Sequence, residues 1–536
     1  MDTDVLIVGA GPTGLMLANQ LVRQGIRVVI IDRNSGPSVQ TKALGVHART
    51  LEIYSHLGIA EEAVELGKRA TGLNWWVRGQ RAARVPLGDI GLDMSPYPFI
   101  LILGQDDNER LLGKRLRSSG NDIQWNMNLV ELEQTHEGVT AKIEQAGGRM
   151  QEIAAKWVAG CDGPHSAVRH LCNIDFVGAP YEKFYFVADT YVTGPMVSDE
   201  LNAFLWERGF HLFFPMRGAN HWRIVGIVPP ELRTRDKIDF DAVEPFVRKE
   251  VGTALAFQEC TWFSTYHVHH RRAARFRDRR CFLLGDAAHI HSPVGAQGMN
   301  TGLQDAYNLA WKLALVIPGH ADEDLLDSYD LERAPVAKRL LETTDRAFTF
   351  LVSDRWLADA FRTRILPRAL AIAMRLDRMR RLAFRAISQI GIRYPRSPLS
   401  QMTMRLPGSG PRAGDRFPWL RLRFTPDGPI EDLFQKLDDT RFSLILVGQP
   451  LPASGPFDQV AGLIASYAIP NSPDNHQALD RAQIPTPSFY LLRPDGHVGL
   501  AGGQLDIPAF NDYLRDRVKL RKAEPMTELT SEEERG

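Results

Sequence analysis

Short unbroken apolar runs bounded by turn residues mark buried strands, and apolar residues recurring every three or four positions mark helices. On that basis "VLIVG" near the amino terminus is a buried parallel strand, "GLMLANQLVRQG" the helix after it, and "RVVIID" the next strand. The apolar run "CFLLGDAA" stops abruptly, and the helical pattern "LQDAYNLAWKLALVI" starts a few residues later. The stretch "GDAAHIHSPVGAQGMNTG" (285–302) spans that junction with four glycines, a proline and almost no bulky apolar side chain. Between 181 and 270, "FYFVADTYVTG", "AFLWERGFHLFFPMRG" and "HWRIVGIVPP" predict short strands separated by turns. The arginine-rich 346–392 segment has helical periodicity and predicts surface helices. "YPRSPLS" and "LPGSGPRAGDRFP" read as a linker. Beyond it, "RFSLILVG", "PSFYLLRPDGHVGL" and "IPAFNDYLRD" give strands and a helix, and the acidic end "TELTSEEERG" reads as disordered.

At 536 residues the chain is too long for one core, so several domains are expected. Lys+Arg and Asp+Glu are both 64, a balance that points to neither nucleic acid nor a membrane surface. The basic run "HVHHRRAARFRDRR" (267–280) reads as a solvated edge. No apolar run reaches the roughly 18 residues of a membrane span. The start of the chain has no secretory pattern, and Cys161, Cys172, Cys260 and Cys281 have no metal-ligand or CxxC spacing. A reduced, cytoplasmic setting is the expectation. His289 and His291 lack a third partner at ligand spacing, so no metal is expected.

The candidate chemistry begins at Gly9, Gly11 and Gly14, which fit GxGxxG at the first strand-to-helix turn, with Pro12 and Thr13 inside it. The first glycine permits the tight turn, the second lets backbone approach a pyrophosphate, and the third lets the helix pack on the sheet. Asp32 ends the second strand, where a carboxylate reaches a ribose hydroxyl. Arg33, next to it, is either an adenine neighbour or a solvated charge. The turn alone does not separate NAD from FAD.

Two further stretches do. "GCDGPHSAVRH" (160–170) places Asp162 and Gly163 after a strand-like run, and the 285–302 stretch follows "RRCFLLG". Together with the amino-terminal turn, they resemble the signature segments of the single-component FAD-dependent aromatic hydroxylases, the class A flavoprotein monooxygenases. "KALGVHARTLEIYSHLGI" and "ILGQDDNERLLGKRL" resemble the family's segments at the same places. The resemblance spans essentially the whole chain, and its carboxyl-terminal part is similar to the thioredoxin-like domain of the phenol-hydroxylase subgroup, without a cysteine pair.

The resemblance implies an α/β fold: a Rossmann-like FAD-binding domain, an antiparallel-sheet substrate domain and a carboxyl-terminal thioredoxin-like α/β domain. The implied boundaries are 1–71, 101–180 and 271–345 for the FAD-binding domain, and 72–100 and 181–270 for the substrate domain. Connecting helices and linker take 346–404, the thioredoxin-like domain 405–520, and a disordered tail 521–536. By resemblance, Gly285 and Asp286 meet the ribityl chain, and Pro293 lies at the reacting face of the flavin. The helix starting at Gly298, Met299 and Asn300 aims its positive end at the ring's pyrimidine side, where reduced flavin is negative. Lys42 (where many relatives have arginine), Arg49 and Gln105 are further cofactor candidates, and the backbone at Leu129 is either an adenine neighbour or plain strand. A salt bridge to Glu52 is the alternative for Arg49.

The implied activity is hydroxylation of a phenolic or related aromatic substrate, with NAD(P)H and dioxygen, through a flavin hydroperoxide. Trp206, Phe213 and Pro215 are candidate substrate contacts, with plain core positions as the alternative for each. His47, His211, Tyr191 and Tyr266 are candidates for handling the phenol proton. Oxygenation of a polycyclic polyketide or antibiotic, including Baeyer–Villiger insertion, is the first alternative, and a non-catalytic flavin-fold scaffold the second. The partners implied are an aromatic small molecule and dioxygen, without nucleic acid, and a homodimer is allowed.

Overall fold

The computed structural model describes residues 1–38, 43–206, 209–235, 237–291, 296–351, 361–452 and 462–521. The chain forms two compact units. One contains Met1–Trp311, Tyr329–Arg393 and Pro418–Leu420, and the other Lys312–Ser328, Tyr394–Phe417 and Arg421–Gly536.

The first unit holds two large sheets. The strand Thr3–Val8 is buried along its whole length, as an unbroken apolar run in the middle of a parallel sheet requires. It pairs in parallel with Val28–Ile31 on one side and Met150–Gly160 on the other. Ile123–Gln124 and Cys281–Leu283 continue the parallel array outward on either side. The helix Pro12–Arg23 follows the first strand with Gly11 at its N-cap and proline in its first turn. That proline's fixed φ suits the helix start, and its missing N–H removes a donor that would lack a helical partner there.

The second sheet has eight strands. It runs from His289–Ile290 through Ala256–Ala273, Phe176–Thr193, His221–Ile227, Gly209–Pro215, Glu200–Trp206 and Gly72–Val77 to Gln80–Pro86. It is antiparallel except where Glu200–Trp206 runs parallel to Gly72–Val77, a pairing that strand patterning in 181–270 does not show. Strand periodicity gives this sheet two faces. One is covered by the helix Phe240–Val251, started by the Asp239 side chain accepting from the Ala242 N–H and ended by Gly252 at φ 67°. Phe204, Phe213, Trp222 and Ile224 pack there against Phe240, Val243 and Val247. The opposite face carries Tyr185, Leu205, Phe210 and Ile227, with Trp75, Leu212 and Tyr266 against them. Farther along that face, Leu201, Phe214 and Met216 pack on Leu44, Ala70 and Ile102.

The second unit contains a five-stranded sheet in the order Gln401–Met402, Val498–Gly502, Ser488–Leu492, Phe442–Val447, Ile464–Ile469. Its central strand Phe442–Val447 is fully buried, parallel to Ile464–Ile469 and antiparallel to Ser488–Leu492. Among the described residues, no helix is long and apolar enough to cross a membrane.

Candidate active site

Three adjacent parallel strands, Thr3–Val8, Met150–Gly160 and Cys281–Leu283, end at the same edge of the first sheet. The turns that leave them are Gly9–Gly14, Cys161–Gly163 and Gly285–Asp286. Carboxyl ends of parallel strands are where open α/β sheets bind ligands.

The glycines divide by what surrounds them. Gly9 has φ 104°, and a Cβ there would lie 2.4 Å from the Cys161 carbonyl oxygen. A Cβ on Gly14 would lie 2.0 Å from the Gly9 carbonyl oxygen, so both positions are fixed by backbone packing. Gly11 is different: a Cβ would meet nothing within 4 Å. Its glycine leaves room for something other than the protein, beside a helix start that has no side-chain cap. Thr13 wedges between the third turn and the long helix Gly298–Val316, with its Oγ1 2.6 Å from a Cβ built on Gly285 and 2.4 Å from one on Gly302.

Asp32 accepts from the Ala10 N–H at 2.7 Å and from the Asn34 backbone and side-chain amides at 2.9 and 2.8 Å. The carboxylate is thereby oriented at the mouth of the first turn, with Arg33 exposed beside it. The Met127 N–H donates to the Asp32 carbonyl, which draws the strand containing buried Leu129 alongside. Asp162 accepts through Oδ2 from the Ala167 and Val168 N–H groups at 2.6 and 3.3 Å. Its Oδ1 is buried and has no partner among the described residues. Burial raises the Asp162 pKa above the ordinary carboxylate value, against the hydrogen bonds that lower it. Arg169 bridges the second and third turns, donating to the Ala287 and Pro164 carbonyls at 2.9 and 2.8 Å, with its guanidinium over Phe176.

The third turn is anchored from beneath by residues that sequence patterning does not single out. Asp305 is fully buried and accepts from the Gly285 N–H at 3.0 Å, His289 Nε2 at 2.8 Å and Arg333 Nε at 2.6 Å. Burial alone would raise its pKa; Arg333 and His289 outweigh this and hold it below the ordinary value. Arg333 also donates to the Thr301 carbonyl at 3.1 Å. The only sequence signal is one acid inside an apolar helix, with its arginine 28 residues away. His289 thus has a carboxylate partner.

Asn300 staples a fourth segment to this edge. Its Oδ1 accepts from the His47 N–H at 2.9 Å and the Thr50 hydroxyl at 2.7 Å. Its Nδ2 donates to the Gly45 and Ala296 carbonyls, both at 2.9 Å. His47 Nε2 lies 3.1 Å from the Ala296 carbonyl oxygen, to which only a protonated nitrogen donates. This buried histidine is thereby tied to the backbone through Nε2. Met299 receives a contact from the Asn108 amide, and Gln105 donates to Glu109 at 2.8 Å. Arg49 is buried in an ion pair with Glu52 at 3.0 Å, the alternative its sequence position allowed. Lys42 and Pro293 lie outside the described residues.

On the second sheet, the candidate residues divide between the two faces. His211 and Phe213 face the helix Phe240–Val251, since His211 Nε2 pairs with Glu250 at 2.8 Å and Phe213 belongs to the core beneath that helix. Pro215 shares their strand parity, and the Trp206 ring lies tilted against His211 at 4.2 Å while also packing with Leu205 and Phe210. Tyr191 stacks on His221 at 4.5 Å, far along its strand. Alternation along a strand identifies two faces without saying which a later helix will cover. Tyr266 is on the other face, 6.3 Å from Tyr185. Burial pushes its phenol up to about 12, with the charge of Arg223 pulling the opposite way. Arg223 is buried under Trp262, held by Asp189 through two 2.6 Å bonds. Its Nη1 has no partner among the described residues.

The open space at Gly11, the orphaned Asp162 oxygen and the uncapped helix start fit a dinucleotide with a pyrophosphate. Asp286 stands exposed on the third turn. Asp286→Ala is expected to weaken FAD retention at least about tenfold, since a hydrogen bond to a charged group contributes about 1.5–3 kcal/mol. Titrating FAD into apoprotein measures this, and an unchanged affinity would remove Asp286 from the cofactor contacts.

Comparison with known proteins agrees with this geometry. Residues 2–344 match the family model described as FAD binding domain. A 6-methylpretetramide 4-monooxygenase from Streptomyces rimosus is 33% identical, across 93% of this chain and 90% of the relative. A pentachlorophenol 4-monooxygenase from Sphingobium chlorophenolicum is 30% identical, across 96% and 90%. The solved structure of an anhydrotetracycline hydroxylase from Streptomyces rimosus superposes with a TM-score of 0.78 at 30% identity, across 96% of this chain and 99% of that one. The chain belongs to the FAD binding domain family, among its FAD-dependent aromatic monooxygenases.

Proposed function

We propose that this protein is an NAD(P)H-dependent hydroxylase of a phenolic ring, either a simple phenol or the phenolic ring of a polycyclic compound. The observation that supports it most is the convergence of three turns at one sheet edge, with a glycine facing open space and an orphaned carboxylate oxygen. Bound FAD, reduced by NAD(P)H, supplies the activation of dioxygen. The turn Gly9, Gly11, Pro12, Thr13 and Gly14 would hold the pyrophosphate, with Asp32 and Arg33 toward the adenosine and Asp162, Gly285 and Asp286 toward the ribityl chain. The start of the helix Gly298–Val316 would favour negative charge on a flavin ring placed there. The aromatic and aliphatic face around Trp75, Phe210 and Leu212 excludes water and takes the ring. Tyr266 on that face orients the substrate hydroxyl.

The names of the relatives include both a chlorinated monocyclic phenol and tetracyclines. Coenzyme consumption across simple phenols and polycyclic phenols, with each product identified, separates the two readings. Tyr266→Phe is expected to lower kcat/KM about fivefold, for a lost hydrogen bond of roughly 1 kcal/mol, with FAD affinity unchanged. His211→Gln, on the helix-covered face, should leave KM within about twofold while lowering stability by roughly 1–3 kcal/mol. Steady-state kinetics and denaturant unfolding of both variants check this, and the reverse pattern would put the substrate on the other side of the sheet.

For the second unit we propose a thioredoxin-like fold, on the strength of its strand order. Numbering Phe442–Val447, Ile464–Ile469, Ser488–Leu492 and Val498–Gly502 as one to four, they lie 4-3-1-2, with the first two parallel. Its sequence from 394 onward has no cysteine, so thiol exchange is not its role.

A further inference from the structure

Six of the fifteen exposed large apolar side chains among the described residues fall in one short segment: Phe361, Ile365, Ile372, Leu376, Met379 and Leu382. They are 40–63% exposed. The helix Asp377–Ile387 already has a buried side: Phe384 is 1% exposed and packs with Ile90 and Met94. By the 3.6-residue period, Met379 and Leu382 stand on the opposite side of that helix. The helix Leu366–Ala373 likewise buries Pro367 and leaves Ile372 out, with Ile365 just before it. These apolar rows therefore have no role in the core.

The same segment is strongly cationic. Residues 361–387 contain eight arginines, no lysine and one acid, in a chain whose formal net charge is zero. That acid, Asp377, is already paired with Arg380. Arg364, Arg368, Arg375, Arg378 and Arg385 are exposed. Aliphatic side chains interleaved with arginines on an outward helix face are what a bilayer interface selects: acyl chains take the apolar rows and anionic headgroups the guanidiniums. A second copy of the chain is disfavoured, because a two-fold contact would set this positive patch against itself. An acidic protein would satisfy the arginines and leave the aliphatic rows without a matching surface.

We propose that residues 361–387 bind the surface of an anionic lipid bilayer, holding the enzyme there without spanning it. An apolar aromatic substrate would also concentrate in that bilayer. This inference does not depend on which substrate is hydroxylated.

The test is flotation of the full-length FAD-loaded protein with phosphatidylcholine vesicles, with and without phosphatidylglycerol. Binding should require phosphatidylglycerol and fall steeply with salt. Ile372→Ser/Leu382→Ser and Arg378→Gln/Arg385→Gln should each weaken binding at least about tenfold. Both should keep the bound-flavin spectrum, which shows that they are folded. Absence of flotation with the anionic vesicles would overturn the proposal, as would equal flotation on pure phosphatidylcholine. If the serine variant floats as well as the parent while the glutamine variant fails, the contact is charge alone, as for an acidic protein surface, and the proposal falls. Loss of a dimer in lipid-free solution on serine substitution would assign the face to a second copy instead.

Discussion

Arg333→Leu is expected to cost about 3–5 kcal/mol of stability, because it leaves the fully buried Asp305 carboxylate without its cation. The loss should reach the cofactor as well. Asp305 holds the Gly285 N–H, so a displaced carboxylate releases the turn that carries Asp286. Adding Asp305→Asn to Arg333→Leu removes the stranded charge, keeps one acceptor oxygen, and should recover part of the stability. The pH dependence has a definite sign. In the parent the Asp305 pKa is depressed, so its contribution is present above the ordinary carboxylate value and is lost as pH falls through the folded pKa. In Arg333→Leu, burial is no longer opposed by the arginine, and Asp305 protonates at higher pH. The stability gap between the two proteins should therefore narrow as pH falls toward about 4. Denaturant unfolding at several pH values measures this, and a gap below about 1 kcal/mol at pH 7 would show that the buried pair does not anchor the turn.

Gly11→Val and Gly9→Val are expected to fail for different reasons. At Gly9 the new side chain collides with the Cys161 carbonyl and must adopt φ near 104°, so the apoprotein itself should be destabilised. At Gly11 a Cβ meets no protein atom within 4 Å, so the apoprotein should unfold at nearly the parent's denaturant midpoint. FAD affinity should nevertheless drop at least about a hundredfold, a cost of roughly 2.7 kcal/mol, because the side chain fills the open space proposed for the pyrophosphate. Apoprotein unfolding and FAD titration on the same two variants separate the cases. A Gly11→Val protein that binds FAD normally would place the pyrophosphate elsewhere.

Gly9, Gly11 and Gly14 are legible in the sequence because their spacing marks one strand–turn–helix unit, although the contact that requires glycine at Gly9 is the Cys161 carbonyl of another turn. Asp162 and Gly285 are legible for the same reason, since each sits where an apolar strand stops. Asp305 and Arg333 are not, because an ion pair across 28 residues leaves no periodicity, and its function depends on a turn 20 residues back. Asn300 is marked by its place at a helix start, but its bonds to Gly45, His47 and Thr50 join segments about 250 residues apart. The strands of the second sheet are readable from alternation, but the face that His211 and Phe213 share with a helix is not. What decides the face is the helix Phe240–Val251, which follows them in the chain. Its Glu250 partners His211, and no pattern within "FHLFFP" reports that.

The central claim is that this sheet edge holds FAD for transfer of one oxygen atom from dioxygen to an aromatic ring. Its most direct test is mass spectrometry of the product formed by the purified, FAD-loaded protein with NAD(P)H under 18O-labelled dioxygen, using the phenol that most stimulates coenzyme consumption. The expected product carries one labelled oxygen on the ring and gains none from labelled water. Coenzyme oxidation that yields only hydrogen peroxide with every phenol, or a product whose new oxygen comes from water, would contradict it.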